Sequence, residues 1–175
     1  MPGLDHSRAF VALRIAVLTV SDTRTEADDR SGPLLAQRAE AAGHVVVHRA
    51  IIADERPTIE AELRRCVAGG DLDVVITTGG TGITGRDVTP EAVHAIIDKH
   101  IPGFGEYFRW ISISSVGTST IQSRATAGVA GRCLVFALPG STGACRDAWD
   151  QILIHQLDSR HRPCNFAELL PRLEE

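Results

Sequence analysis

Apolar residues in this chain gather in short unbroken runs, separated by segments in which they recur every third or fourth position. LRIAVLTV (13–20) is a near-continuous apolar run, the pattern of a strand covered on both faces. The polar loop SDTRTEADDR follows it, and SGPLLAQRAEAAG (31–43) then predicts a helix. Ser31 stands at its N-cap, Pro33 in its first turn and Gly43 just past its end. HVVVHRAIIA (44–53) reads as a strand, and RPTIEAELRRCVAGG (56–70) places Ile59, Leu63, Cys66 and Val67 on one helical face before glycines stop it. LDVVITT (72–78) is another buried strand. PEAVHAIIDKH (90–100) predicts a helix with Pro90 at its first position and Lys99 and His100 near its negative end. RCLVFALPG (132–140) is a last buried strand, and STGACRDAWDQILIHQL (141–157) an amphipathic helix with Ala148, Trp149, Ile152 and Leu153 inward.

Strand and helix alternate three times in the first hundred residues. That pattern predicts an α/β fold, a three-layer αβα sandwich with a mainly parallel sheet, right-handed crossovers and helices on both faces. Between the alternating units and the last strand, Phe104, Tyr107, Phe108 and Trp110 fall close together, half of the chain's aromatic residues. They read either as a core helix under the sheet or as a subunit interface. The organisation is one domain over 13–158, with an N-terminal extension (1–12) and a short polar C-terminal tail (159–175). There is no internal repeat or linker.

Composition narrows the function. At 175 residues, 43% hydrophobic and 23% charged, the chain is ordinary for a globular domain. A net charge of −4 gives no general attraction for nucleic acid or an anionic membrane. No apolar run approaches the ~20 residues that span a bilayer, and the first twelve residues lack the pattern of a signal peptide, so a cytoplasmic protein is expected. The four cysteines are widely spaced and form no CxxC pair, which argues against a zinc site and a disulfide framework. Cys133 and Cys145 read as core, and the histidines as surface or packing residues. Lys99 is the single lysine, and no phosphate-binding signature adjoins it. A P-loop, a Schiff base or a lysine-dependent kinase site is therefore not expected.

In an open parallel sheet, ligands bind beyond the carboxyl ends of the strands. TVSDT after the first strand, TTGGTGITGRDVTPE after the third and LPGSTGA after the last occupy such positions, and IIADE puts Asp54 on the same rim. Glycine-rich turns with hydroxyl residues let backbone N–H groups approach an anion, and a following helix N-terminus adds partial positive charge. Both GGTG and PGST fit. Gly80 to Gly85 also spell G-x-G-x-x-G, but the motif follows the third strand and Pro90 starts the helix beyond it, so a nicotinamide dinucleotide site is discounted. Asp87 beside a phosphate loop makes sense when a divalent cation lies between, with Asp54 as a second carboxylate. As alternatives, Asp87 caps a helix and Asp54 is a loop residue at a helix entry. From the residues alone, two readings stand: a magnesium-and-nucleotide phosphate-transfer site, or a non-catalytic anion-binding domain.

The ordered motifs LTVSDT, DDRSGP, TTGGTGITGRDVTPEA, PGFGEYFR, TSTIQSRATAG and LPGST resemble the molybdenum cofactor biosynthesis proteins of the MoaB/MogA type, to which the gephyrin G domain is related. The likeness runs from about 13 to 166, and DSRHRPCNF resembles the B-type branch. It implies adenylylation of molybdopterin, a dithiolene pterin, by Mg-ATP, giving adenylyl-molybdopterin and pyrophosphate. The alternative is a member that binds molybdopterin or its precursor without chemistry. By the resemblance, Asp54 and Asp87 hold magnesium and position ATP, and Gly79, Gly80, Thr81 and Gly82 contact the nucleotide. Ser21, Asp22, Ser123, Pro139, Gly140 and Ser141 match the pterin-phosphate side. Arg124 either adds positive charge there or is a surface arginine. A-type enzymes tend to carry Asn or Gln where Ser141 stands, and the intact RDVTPE segment favours an active enzyme. The family assembles as trimers, and the B-type branch often as hexamers.

Overall fold

The computed structural model describes residues 3–173 and 175. A ribbon pairs β1 (Gly3–Leu4) with the late strand β8 (His161–Arg162). The main sheet holds β2 (Arg14–Val20), β3 (Val45–Ile52), β4 (Val74–Thr78), β5 (Lys99–His100), β6 (Thr126–Ala130) and β7 (Cys133–Leu138), in the order β3-β2-β4-β7-β6-β5. The joins β3–β2, β2–β4 and β4–β7 are parallel, whereas β6 and β5 add an antiparallel edge.

Alternation along the strands explains the apolar runs. In β2, Ile15 and Val17 face a layer made by α1 (Ser31–Ala41), α4 (Pro102–Val116) and α5 (Thr142–Ala148), meeting Leu35, Phe104 and Trp149 in one core. Ala16, Leu18 and Val20 face the opposite layer, α2 (Arg56–Ala68) and α3 (Thr89–His94), with Ile59, Leu63 and Val93. Both faces are covered, so neither needs polar residues. The three-layer αβα sandwich with a mainly parallel sheet is the fold observed.

Four local expectations change. Ser31 is the first helical residue of α1, and Arg30 its N-cap; the Gly32 N–H of the first turn is satisfied by Asp29, one residue earlier, whose Oδ1 accepts it at 3.2 Å. α3 stops at His94, and Lys99 and His100 form β5. There the Asp98 and Ile101 N–H groups donate to Val129 and Ala127 at 2.7 and 2.9 Å, so the exposed edge of β6 captures a segment that periodicity assigns to a helix. β6 itself was not foreseen: TAGVA has a single β-branched residue on each flank of its glycine and little strand propensity. It forms because Gly131, at φ +56°, lets the chain fold back into a hairpin with β7. Finally, the tail is more than polar surface. Ala167 of α7 (Phe166–Leu169) and the following Leu170 are buried in the larger core.

α5 continues through a π-helical turn (Trp149–Leu153) and the short α6 (Ile154–Gln156), burying Trp149, Ile152 and Leu153. Of the aromatic cluster, Phe104 and Phe108 are core, while Tyr107 and Trp110 are exposed. Cys66, Cys133 and Cys145 are buried and Cys164 is exposed, all as free thiols. Among the described residues, no helix is long and apolar enough to cross a membrane.

Candidate functional site

Consecutive strands leave β2 for β3 on one side, while β4 pairs on the other, so the chain's direction across the sheet reverses between β2 and β4. A crevice opens at such a switch point, at the carboxyl ends of the strands. The loops after β2, β4 and β7 meet there around a cavity of about 440 Å³. It is lined by Ser21, Gly79, Gly80, Thr81, Gly82, Asp87, Ser123, Pro139 and Gly140 of the expected residues, together with Arg24 and Gln122.

The glycines are required by space as well as by backbone angle. Gly79 has φ +112°, and a Cβ there would lie 2.3 Å from the Val20 carbonyl oxygen. Gly80 has φ +63°, and its Cβ would meet Thr89 Oγ1 at 2.4 Å and Asp54 Oδ1 at 3.0 Å. Both angles favour glycine. The loop is pinned from outside: Gly79 donates its N–H to Leu138 (3.0 Å), and Thr89 donates its hydroxyl to the Gly79 carbonyl (2.9 Å) and its N–H to the Gly80 carbonyl (3.0 Å).

The two carboxylates stand in different environments. Asp54 is behind Gly80, and its Oδ1 is buried without a hydrogen-bond partner. Burial, and then the charge of Asp87, push its pKa above the ordinary range. Burial also raises Asp87, but hydrogen bonds from the Thr84 hydroxyl and N–H and from the Gly82 backbone, aided by Arg124, outweigh it and leave the pKa lowered. An anionic group beside a buried, unpartnered carboxylate oxygen is what a cation would relieve. The donor set suits magnesium, which takes one or two carboxylates plus phosphate oxygens.

Four expected residues do not line the cavity. Asp54 lies beneath its wall. Asp22 is a bridge between loops, its Oδ1 accepting the Asp54 N–H at 2.9 Å and its Oδ2 paired with Arg86. Arg124 is not a free surface arginine. It donates to the Gly82 carbonyl at 2.6 Å, to the Asp87 carbonyl and to Glu91, and so clamps the glycine-rich loop against α3. Ser141 caps α5, accepting from the Ala144 N–H at 3.2 Å. Its side faces a second cavity of about 460 Å³, walled by Phe108, Val116 and Ala144 with the hydroxyls of Ser112, Ser115 and Thr120. The two cavities share Ser123 and Pro139.

Sequence reading missed Arg24, a cation on the loop after the first strand; its signal was an arginine within SDTR. His48 is a partly exposed residue, in keeping with the expectation for the histidines. His48 Nε2 lies 2.8 Å from Glu62 Oε1, with Cys66 close by. Arg65 already serves that cluster, donating to Glu62 at 2.6 Å and lying 2.9 Å from His48 Nε2. Its hydrogen bond is the largest influence holding the Glu62 pKa down to about 2.

The chain as a whole is similar to known proteins. A family model described as "Probable molybdopterin binding domain" matches residues 16–159. The molybdenum cofactor biosynthesis protein B of Escherichia coli (strain K12) is 52% identical over 160 residues, covering 91% of this chain and 94% of that protein. The protein of the same name from Bacillus cereus is 47% identical, covering 83% and 86%. A crystal structure of molybdenum cofactor biosynthesis protein B superposes with a TM-score of 0.86 at 41% identity, covering 95% of this chain and 98% of that one. A tungsten cofactor synthesizing protein MoaB from Pyrococcus furiosus gives a TM-score of 0.76 at 34% identity, over 94% and 98%.

Proposed function

This chain belongs to the molybdopterin-binding family of molybdenum cofactor biosynthesis proteins, and from that premise we propose that it is a molybdopterin adenylyltransferase. The observation that carries the reading is the buried, unpartnered Oδ1 of Asp54, set against Gly80 of the phosphate loop and within electrostatic reach of Asp87. An oxygen of the pterin's terminal phosphate attacks the α-phosphorus of ATP. A bond forms between them, the bond from the α-phosphorus to the β-bridging oxygen breaks, and pyrophosphate leaves with the electron pair. No side-chain nucleophile is needed, so catalysis rests on orientation and charge neutralisation.

The chain's own residues divide this work. Gly79, Gly80 and Gly82 keep side chains away from the nucleotide phosphates, and Thr89 and Arg124 hold that loop rigid. Asp54 and Asp87 would hold the magnesium ion, which neutralises the phosphate charge when bound. The second cavity, with its aromatic floor and ring of hydroxyls, suits the pterin, and Ser123 and Pro139 join it to the phosphates. We also read the chain as a homo-oligomer, a trimer or hexamer, supported by the exposed apolar side chains of α4.

One observation favours the alternative of a binding protein without chemistry: Asp87 Oδ2 is turned onto Thr84, accepting from its N–H and hydroxyl at 2.9 and 2.6 Å. Purified protein mixed with molybdopterin, ATP and magnesium decides between them. The expected outcome is adenylyl-molybdopterin with stoichiometric pyrophosphate from the wild type, and a drop of at least about a hundredfold for Asp87→Ala. Tight pterin binding with no pyrophosphate would leave the binding protein as the reading.

A further inference from the structure

Arg24 brings the one positive charge to the side chains lining the phosphate cavity. Its guanidinium is fixed, not draped over the surface. One terminal nitrogen donates to Ser31 Oγ at 2.8 Å and lies 3.8 Å from Asp29 Oδ1, and the other donates to the Gly140 carbonyl at 3.0 Å. Asp29 is itself held: it accepts from Thr19 Oγ1 at 2.7 Å and from Ser31 Oγ and the Gly32 N–H at 3.2 Å each. The Asp29 carboxylate is almost wholly buried, so the arginine's position is set by the core. A guanidinium carries five N–H donors in a planar fork. Two of Arg24's are used in these hydrogen bonds, and the side chain lines the cavity.

The charges are arranged across that cavity. The carboxylates of Asp54 and Asp87 belong to the wall made by the loops after β3 and β4, where a metal and the nucleotide phosphates are expected. Arg24 stands at the other wall, where the loops after β2 and β7 meet at Gly140 and join the hydroxyl-lined cavity through Pro139. A phosphomonoester dianion placed there needs its own counter-charge, because the carboxylate wall repels it. A planar guanidinium suits a tetrahedral oxyanion through paired, charge-assisted hydrogen bonds.

We infer that Arg24 is the residue that recognises the terminal phosphomonoester of the pterin substrate, and that it makes the site select the phosphorylated pterin over its dephosphorylated form. The inference rests on the pterin-binding reading above, but not on the transfer reaction. Asp29 is its positioning residue.

The test uses two probes on the intact protein, a 6-hydroxymethylpterin phosphomonoester and the matching 6-hydroxymethylpterin, with affinities measured by calorimetry. Wild type is expected to prefer the phosphorylated probe by about 10- to 100-fold, the range of hydrogen bonds to a charged group. Arg24→Gln abolishes that preference while leaving the affinity for unphosphorylated pterin unchanged, and Arg24→Lys keeps part of it, having the charge without the fork. Asp87→Ala keeps the preference or increases it, since it removes a repelling charge from the same cavity. Unaltered discrimination by Arg24→Gln would overturn the inference, as would a wild type with no preference. A wild type that discriminates through Arg24 yet releases no pyrophosphate from Mg-ATP would sink the transferase reading and leave this one standing. Thermal melting of each variant separates lost recognition from lost fold, and in a Gln variant that fails to fold the Lys variant carries the comparison.

Discussion

Asp54 is costly to the free protein. An acid whose folded-state pKa is raised binds its proton more tightly in the folded than in the unfolded chain. That stabilisation is present below the unfolded value and is lost as pH rises through the folded one. At neutral pH the charged Asp54, without a partner for Oδ1, therefore works against folding. Asp54→Asn is expected to melt slightly higher than wild type in the absence of magnesium, while losing nearly all transfer; a variant that melts lower would contradict the cause assigned to the shift. If Asp54 holds magnesium as proposed, the same raised pKa would set the acid limb of activity, because a metal ion needs the ionised carboxylate. Activity should fall on acidification at a pH above that of an ordinary aspartate, and a pH–rate profile at saturating magnesium should lessen the fall. Gly80→Ala is the companion test: its Cβ would strike Thr89 and Asp54, and positive φ adds strain of about 1–3 kcal/mol, visible as a lowered denaturation midpoint together with lost activity.

The elements were legible where two-sided burial or amphipathic spacing fixed them. β2, β4 and β7 show as apolar runs because both faces are covered, and Ile59, Leu63 and Cys66 mark the inward stripe of α2. What could not be read locally depended on distant partners. β6 exists through β7, β5 exists through β6, and the supports of the phosphate loop, Arg124 and Thr89, act across the fold. The placement of Asp54, Asp87 and the glycines at one end of the sheet was legible because each loop follows a strand end, while the bridging role of Asp22 needed the positions of Arg86 and the Asp54 N–H. The entry to α1 shows how much an element depends on a single side chain. Asp29 takes donors from Thr19, Ser31 and Gly32, and a Cβ on Gly32 would sit 2.5 Å from its carboxylate. Asp29→Ala strands these buried donors and should cost about 2–4 kcal/mol in urea unfolding, with the phosphate preference of Arg24 weakened in parallel.

At the scale of the molecule, the site end and the opposite end are built differently. The early segment 3–11 and the late segment 159–162 lash together away from the site, through β1 with β8 and through Ser159 Oγ, which accepts the Val11 N–H at 2.9 Å and donates to the Ala9 carbonyl at 3.1 Å. α4 presents Tyr107, Trp110, Ile113 and Val116 outward, with Ile121 just beyond it, Trp110 being 65% exposed and Ile121 77%. Such a stripe is larger than scattered surface apolar residues require. If it is the contact between copies of the chain, Trp110→Glu should shift the protein toward smaller species in light scattering without lowering helix content. The placement of sulfur has a consequence for the proposed substrate. Burial pushes the Cys133 thiol up to about 12 and the Cys145 thiol up to about 11, and raises Cys66, so these groups stay protonated and poorly nucleophilic. An aromatic disulfide reagent should count one reactive thiol, Cys164, in the folded chain and all four in denaturant. Cys145 lies just behind the cavity wall, its thiol donating to the Pro139 carbonyl at 3.3 Å. A dithiolene is easily trapped by oxidation onto a neighbouring thiolate, and this wall offers it none.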